Sequence, residues 1–251
     1  MVFEQAFEDY RNNAITAIAF ALLLIFVVPF SMLSNVFVSS GTAIIDYGFL
    51  KNPVLDILLL LALSVVFLLV YSILVCLMIF AVRADFNKVK MHYYLDEKLL
   101  VYSLRYFRFI ALFTVLAAVF SSILIDLSVP PLLINFILLL ASLPFIFLAQ
   151  TIVVDGETLR SSIFGTLDFI RKNPSAYLLA LGFGFVAVTA LQVLEFFIDF
   201  YLFGGGYVSL LISLVFLIPF FEALKTEIYM NKFSLFTPYR SAQGLARMGN
   251  R

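Results

Sequence analysis

VLDILLLLALSVVFLLVYSILVCLMIFAV, residues 54–82, carries a single charge, Asp56, and places it in the first turn of the run. As an α-helix rising 1.5 Å per residue, such a run is about 43 Å long, more than the ~30 Å hydrocarbon core of a bilayer. Five other stretches share its character: residues 14–36, 107–127, 132–154, 175–200 and 207–226. The composition agrees. Of 251 residues, 63% are hydrophobic and 13% charged, with a mean hydropathy of +1.08. A soluble domain carries about 45–50% apolar residues, so a water-soluble fold could not hide this much Leu, Ile, Val and Phe. The expected fold is an all-α integral membrane protein with six transmembrane helices, forming one domain over residues 1–230 and followed by a basic tail, 231–251.

The same counts exclude several chemistries. The net charge is +0, which leaves no cationic surplus for binding nucleic acid. Cys76 is the only cysteine and lies inside an apolar run, so no intrachain disulfide forms. His92 is the only histidine, which removes most zinc sites and any His-based triad. Metalloprotease, phosphate-loop and nucleophile-elbow motifs are all missing, so neither an enzyme nor a cofactor is expected. Asn52-Pro53 and Asn173-Pro174 resemble a water-channel motif, but each opens a full span, which is ordinary helix-start chemistry.

Charge placement sets the topology. Arg11 precedes the first run. Arg83, Lys88, Lys90, Lys98, Arg105 and Arg108 lie between the second and third. Arg160, Arg171 and Lys172 lie between the fourth and fifth. Lys225, Lys232, Arg240, Arg247 and Arg251 end the chain, and only Lys51 falls on the other side. Cytoplasmic loops retain Lys and Arg, so both termini are expected in the cytoplasm of a plasma-membrane protein. The leader holds Glu4, Glu8 and Asp9 against Arg11, the wrong charge for a signal peptide, and the first run is expected to remain in the membrane.

The segments on the basic side share a pattern. Ala6-Phe7-Glu8-Asp9-Tyr10-Arg11, Ser103-Leu104-Arg105-Tyr106-Phe107-Arg108 and Thr166-Leu167-Asp168-Phe169-Ile170-Arg171 each feed into a hydrophobic run. Leu143-Pro144-Phe145 and Ile218-Pro219-Phe220 match in the fourth and sixth runs. Three copies of amphipathic helix, span, span account for this pattern, with the middle copy the poorest match. Val2, Phe3, Phe7 and Tyr10 share a helical face, as do Leu159, Ile163, Leu167 and Ile170. Such helices lie in the interface as elbows or as contact surfaces, with Arg11, Arg108, Arg160, Arg171 and Lys172 the candidate membrane-surface contacts.

Few polar residues interrupt the spans. Gln192, Glu195 and Asp199 share a helical face and, with Asp46, Asp56 and Asp126, make the sparsely cationic side acidic. They read either as wet interfacial groups or as a cation vestibule. Glu222 and Lys225 read either as an interfacial ion pair or as a gate beside Pro219, with Gln150 at the matching place in the fourth run. These five acids and amides — Gln192, Glu195, Asp199, Glu222 and Gln150 — form the candidate polar path.

Val153-Val154-Asp155-Gly156-Glu157, Leu159-Arg160-Ser161-Ser162 and Asp168-Phe169-Ile170-Arg171-Lys172-Asn173-Pro174 resemble an uncharacterised group of prokaryotic six-helix membrane proteins. That group looks related to the membrane domain found beside some glycerophosphodiester phosphodiesterases. The resemblance implies the span layout and supplies no catalytic residue. The mitochondrial carrier signature is absent. Two functions follow: a membrane scaffold or accessory subunit with a cytoplasmic interaction face, or a transporter or lipid- or solute-handling protein. The abundance of Phe (30 residues) on many faces favours packing over a wet pore. The lipid bilayer is the first expected partner, beside a membrane or cytoplasmic protein or a second copy of the chain.

Overall fold

The computed structural model describes residues 2–33, 36–45, 53–87, 92–201 and 204–231. Asp46, Lys51, Asn52, Lys88, Lys90 and the basic tail beyond Asn231 lie outside the described residues. Among the described residues six helical stretches are long and apolar enough to cross a membrane: Ala14–Leu33, Val54–Phe86, Lys98–Asp126, Leu133–Asp155, Pro174–Tyr201 and Gly205–Met230, here spans one to six. They coincide with the six apolar runs.

Helix α1 (Val2–Asn12) precedes span one, which is built from α2 (Ala14–Ile18), a 3-10 stretch (Ala19–Phe26) and α3 (Val27–Leu33). Strands β1 (Val36–Ser39) and β2 (Thr42–Ile45) follow as an antiparallel hairpin with Ser39 opposite Thr42. Spans two and three are single helices, α4 (Val54–Asn87) and α5 (His92–Asp126). Span four is α6 (Pro131–Ser142), a 3-10 turn (Leu143–Phe145) and α7 (Leu148–Val154). Then come α8 (Leu159–Lys172) and span five, α9 (Pro174–Tyr201). Span six is α10 (Gly205–Ile212), a π-helical turn (Ser213–Leu217) and α11 (Ile218–Met230).

Hydrogen bonds establish the up-and-down arrangement. At one end, Asn13 Nδ2 donates to Asp85 Oδ2 (2.6 Å), Arg83 to the Val153 carbonyl (2.8 Å), Arg105 to the Glu157 carbonyl (2.8 Å) and the Tyr229 hydroxyl to Asp155 (2.6 Å). At the other end, the Ser40 amide donates to Glu195 and the Gly205 amide to Asp199. Starts of odd spans thus gather with ends of even spans at a cationic end, and the opposite turns form a hairpin end.

Spans two and six form the centre. Val75, Cys76, Met78, Ile79 and Phe80 of α4 are fully buried and pack with Phe20, Leu23, Leu214 and Ala223. A second cluster joins Ala6 of α1 to Phe147, Phe169, Leu224 and Tyr229. By contrast α5 and α9 expose Leu112, Val115, Val119, Phe185, Phe196 and Phe200. In lipid these faces need no protein cover. Helices in hydrocarbon gain little from hydrophobic burial, so close packing and polar ties must hold the bundle.

The helix breaks have local causes. Asn13 and Asn173 end α1 and α8 in the same way. Each amide bonds four residues back, to Asp9 and Phe169, and each side-chain Nδ2 donates to that same carbonyl (2.9 and 3.2 Å). The middle segment lacks such an Asn, and there Ser103–Arg108 continues into span three within the 35-residue α5. The expected third short helix is therefore fused to its span. Spans four and six break at Pro144 and Pro219, and in each a Thr seven residues on, Thr151 or Thr226, bonds back to the carbonyl four before it. Pro219 has no N–H to offer the Val215 carbonyl, and the Tyr10 hydroxyl donates to it at 3.1 Å. Burial pushes the Tyr10 phenol up from its ordinary value.

Two details go beyond the sequence reading. Residues 36–45 form a hairpin whose turn residues, Ser40 (φ 53) and Gly41 (φ 73), both take the left-handed conformation of a type I′ turn. The first run, expected to reach Val36, stops being helical at Leu33, and Val36 opens β1.

Candidate functional site

A buried pair of opposite charges lies where the interrupted span four meets span six, with Glu227, itself fully buried, further along α11. Glu222 is 3% exposed, Lys225 5% and Gln150 0%. Glu222 Oε1 accepts from Lys225 Nζ at 2.7 Å, and Oε2 accepts from Gln150 Nε2 at 2.9 Å. Lys225 Nζ also reaches the Ile146 carbonyl at 3.2 Å and stands 5.0 Å from the centre of the Phe221 ring.

The break in span four makes this possible. Ile146 precedes the cap of α7, so its carbonyl stands outside the α7 ladder and needs a donor. Lys225 supplies it, and the ring face takes up more of the ammonium's charge. Gln150 and Lys225 occupy matching places, each one residue before the back-bonded Thr and six after the proline, and both converge on Glu222. Tyr71 and Cys76 of α4 and Tyr106 of α5 lie within electrostatic reach of the same carboxylate, and Cys76 lies against Ser103. Gln150 Oε1 is buried and has no hydrogen-bond partner among the described residues. The cluster thus draws on spans two, three, four and six. It is a neutral pair shut away from water, whereas the sequence left open an interfacial pair in contact with solvent.

Glu195 and Asp199 lie at the hairpin end and serve the turns. Glu195 Oε2 accepts from the Ser40 amide and stands 2.9 Å from Ser209 Oγ, which in turn accepts from the Gly41 amide at 3.1 Å. Asp199 Oδ1 accepts from the Gly205 amide at 2.7 Å and the Gly204 amide at 3.3 Å. Gln192 is exposed on the outside of α9. The predicted path is thus two separate groups, Gln150 with Glu222 near the cationic end and Glu195 with Asp199 at the hairpin end. Ser40 and Ser209 were missed, although small polar residues between β-branched runs signal a hairpin turn.

Arg11, Arg108, Arg160, Arg171 and Lys172 are all exposed, with Lys172 bonded to Asp168 at 2.6 Å. Among the described residues no group of three His, Cys, Asp or Glu could hold a metal.

Replacing Glu195 by Ala removes the acceptor for the hairpin turn. Charge-assisted bonds to backbone amides are worth about 1.5–3 kcal/mol, so exchange at the Ser40 and Gly41 amides should accelerate by at least about tenfold. Unchanged protection in hydrogen-exchange measurements would show that the turn holds without its clamp.

No family model, curated protein or solved structure matches the chain.

Proposed function

We propose that the chain is a scaffold or accessory subunit of a plasma membrane, with its cationic end in the cytoplasm and three related helix–span–span units. In this reading α1 and α8 lie along the interface, apolar faces toward lipid, and the exposed Arg160, Arg171 and Lys172 meet headgroups or a protein partner. The observation that carries it is the closure of the Glu222–Lys225–Gln150 cluster, joined by the use of Glu195 and Asp199 as clamps for turns. Polar groups committed to neighbouring helices hold a shape and leave little for a solute to bind. The paired Asn elbows, the matched Pro–Thr breaks and the convergence of Gln150 and Lys225 support the repeat. The likeness of residues 153–181 to a membrane domain found beside phosphodiesterases is in keeping with an accessory role and a prokaryotic source.

One observation favours transport instead. Gln150 Oε1 faces no partner among the described residues and stands beside a carboxylate, a place where a proton or water could be handled. The two readings separate in sealed proteoliposomes. Proton or cation flux should equal that of protein-free vesicles, and a photo-crosslinker at exposed Arg171 should give one discrete protein adduct in its native membrane. Flux that is abolished by Glu222→Gln would overturn the scaffold reading.

A further inference from the structure

Spans one and six abandon α geometry side by side. The 3-10 stretch Ala19–Phe26 and the π turn Ser213–Leu217 touch one another, and π turns recur at functional sites. A cavity of about 360 Å³ lies at this junction, in the range of about 300–1,000 Å³ that small-molecule sites occupy. Leu23 and Phe26 come from the 3-10 stretch, Leu214 from the π turn and Phe67 from span two, so the wall is hydrocarbon and aromatic ring at the depth of the spans. Gly41 and Thr42 of the hairpin also line it. The hairpin is clamped there by Glu195 and Ser209. Thr114 of span three and Phe30 of span one line the cavity as well.

The cavity is partly open, and left unfilled its apolar lining would lack dispersion partners. Water cannot fill it well, since the lining offers few polar groups. The surrounding solvent is itself alkyl chain, and the lining matches it. We propose that the cavity holds one hydrocarbon chain of a bilayer lipid, retained between spans one, two and six beneath the hairpin. This proposal stands apart from the scaffold reading.

The chain contains no Trp, so an introduced indole is the only one in the protein. Phe67→Trp puts it in the cavity wall, Phe26→Trp gives a second wall position should the first fail to fold, and Phe185→Trp puts it on the exposed face of α9. Each variant is reconstituted in vesicles of brominated-chain phosphatidylcholine, then transferred into unbrominated lipid. Quenching at Phe185→Trp should vanish as the bulk lipid exchanges. Quenching at the wall should decay at least about tenfold more slowly, the signature of a bound chain with a slow off-rate. Equal decay at wall and surface, an annular chain only, overturns the proposal. So does a wall indole that brominated chains never quench.

Discussion

Lys225→Met is expected to cost about 3–5 kcal/mol of stability, the range seen when one partner of a buried ion pair is removed. The substitution leaves the Glu222 carboxylate enclosed, with Gln150 as its remaining partner, and strips the donor from the Ile146 carbonyl. The side chains of Lys225 and Glu222 are only 6% and 4% exposed, so solvent cannot compensate. The double variant Glu222→Gln/Lys225→Met should recover most of the loss, since neither charge of the pair remains buried and an amide at 222 still accepts from Gln150. Thermal unfolding in detergent, followed by the fraction that stays monodisperse, reads both variants. A Lys225→Met protein as stable as the parent would mean that the pair sits in water.

Gly41→Val is expected to cost about 2–4 kcal/mol, the sum of a left-handed β-branched residue and an overpacked contact. Gly41 has φ 73, and a Cβ there would lie 2.6 Å from Leu191 Cδ1 and 2.7 Å from Ser213 Cβ. The hairpin would have to lift from spans five and six, and the Glu195 clamp with it. Gly182→Ala is the control: its Cβ meets nothing within 4 Å, and a helical Ala should be neutral or mildly stabilising. Melting temperatures of the two variants should separate clearly. Equal temperatures would show that the hairpin does not seat against Leu191 and Ser213.

The spans were legible because length and hydropathy suffice: no other fold shelters six runs of this kind. The elbows were legible in part. Asn13 and Asn173 announce a break, and the absence of Asn, Gly or Pro from 98 to 108 foretells the fused α5. Pro144 and Pro219 mark the breaks in spans four and six, yet a proline does not say whether the chain tightens to 3-10 or loosens to π. Neighbours decide that, and in span one the 3-10 stretch has no proline inside it. The ion pair was legible as a spacing of three. Its burial was not, because helical spacing cannot say which face meets another helix. The clamp made by Glu195 was hidden for a related reason: it depends on Ser40, 155 positions away in the chain.

Helix α5 also works as a ruler. From Arg108 to Asp126 it rises about 27 Å at 1.5 Å per residue, close to the ~30 Å of hydrocarbon a bilayer offers. The sixteen residues from His92 to Phe107 add about 24 Å more. A headgroup layer is only about 5–8 Å deep on each side. From end to end α5 measures about 51 Å, longer than the ~40–45 Å of hydrocarbon and both headgroup layers together.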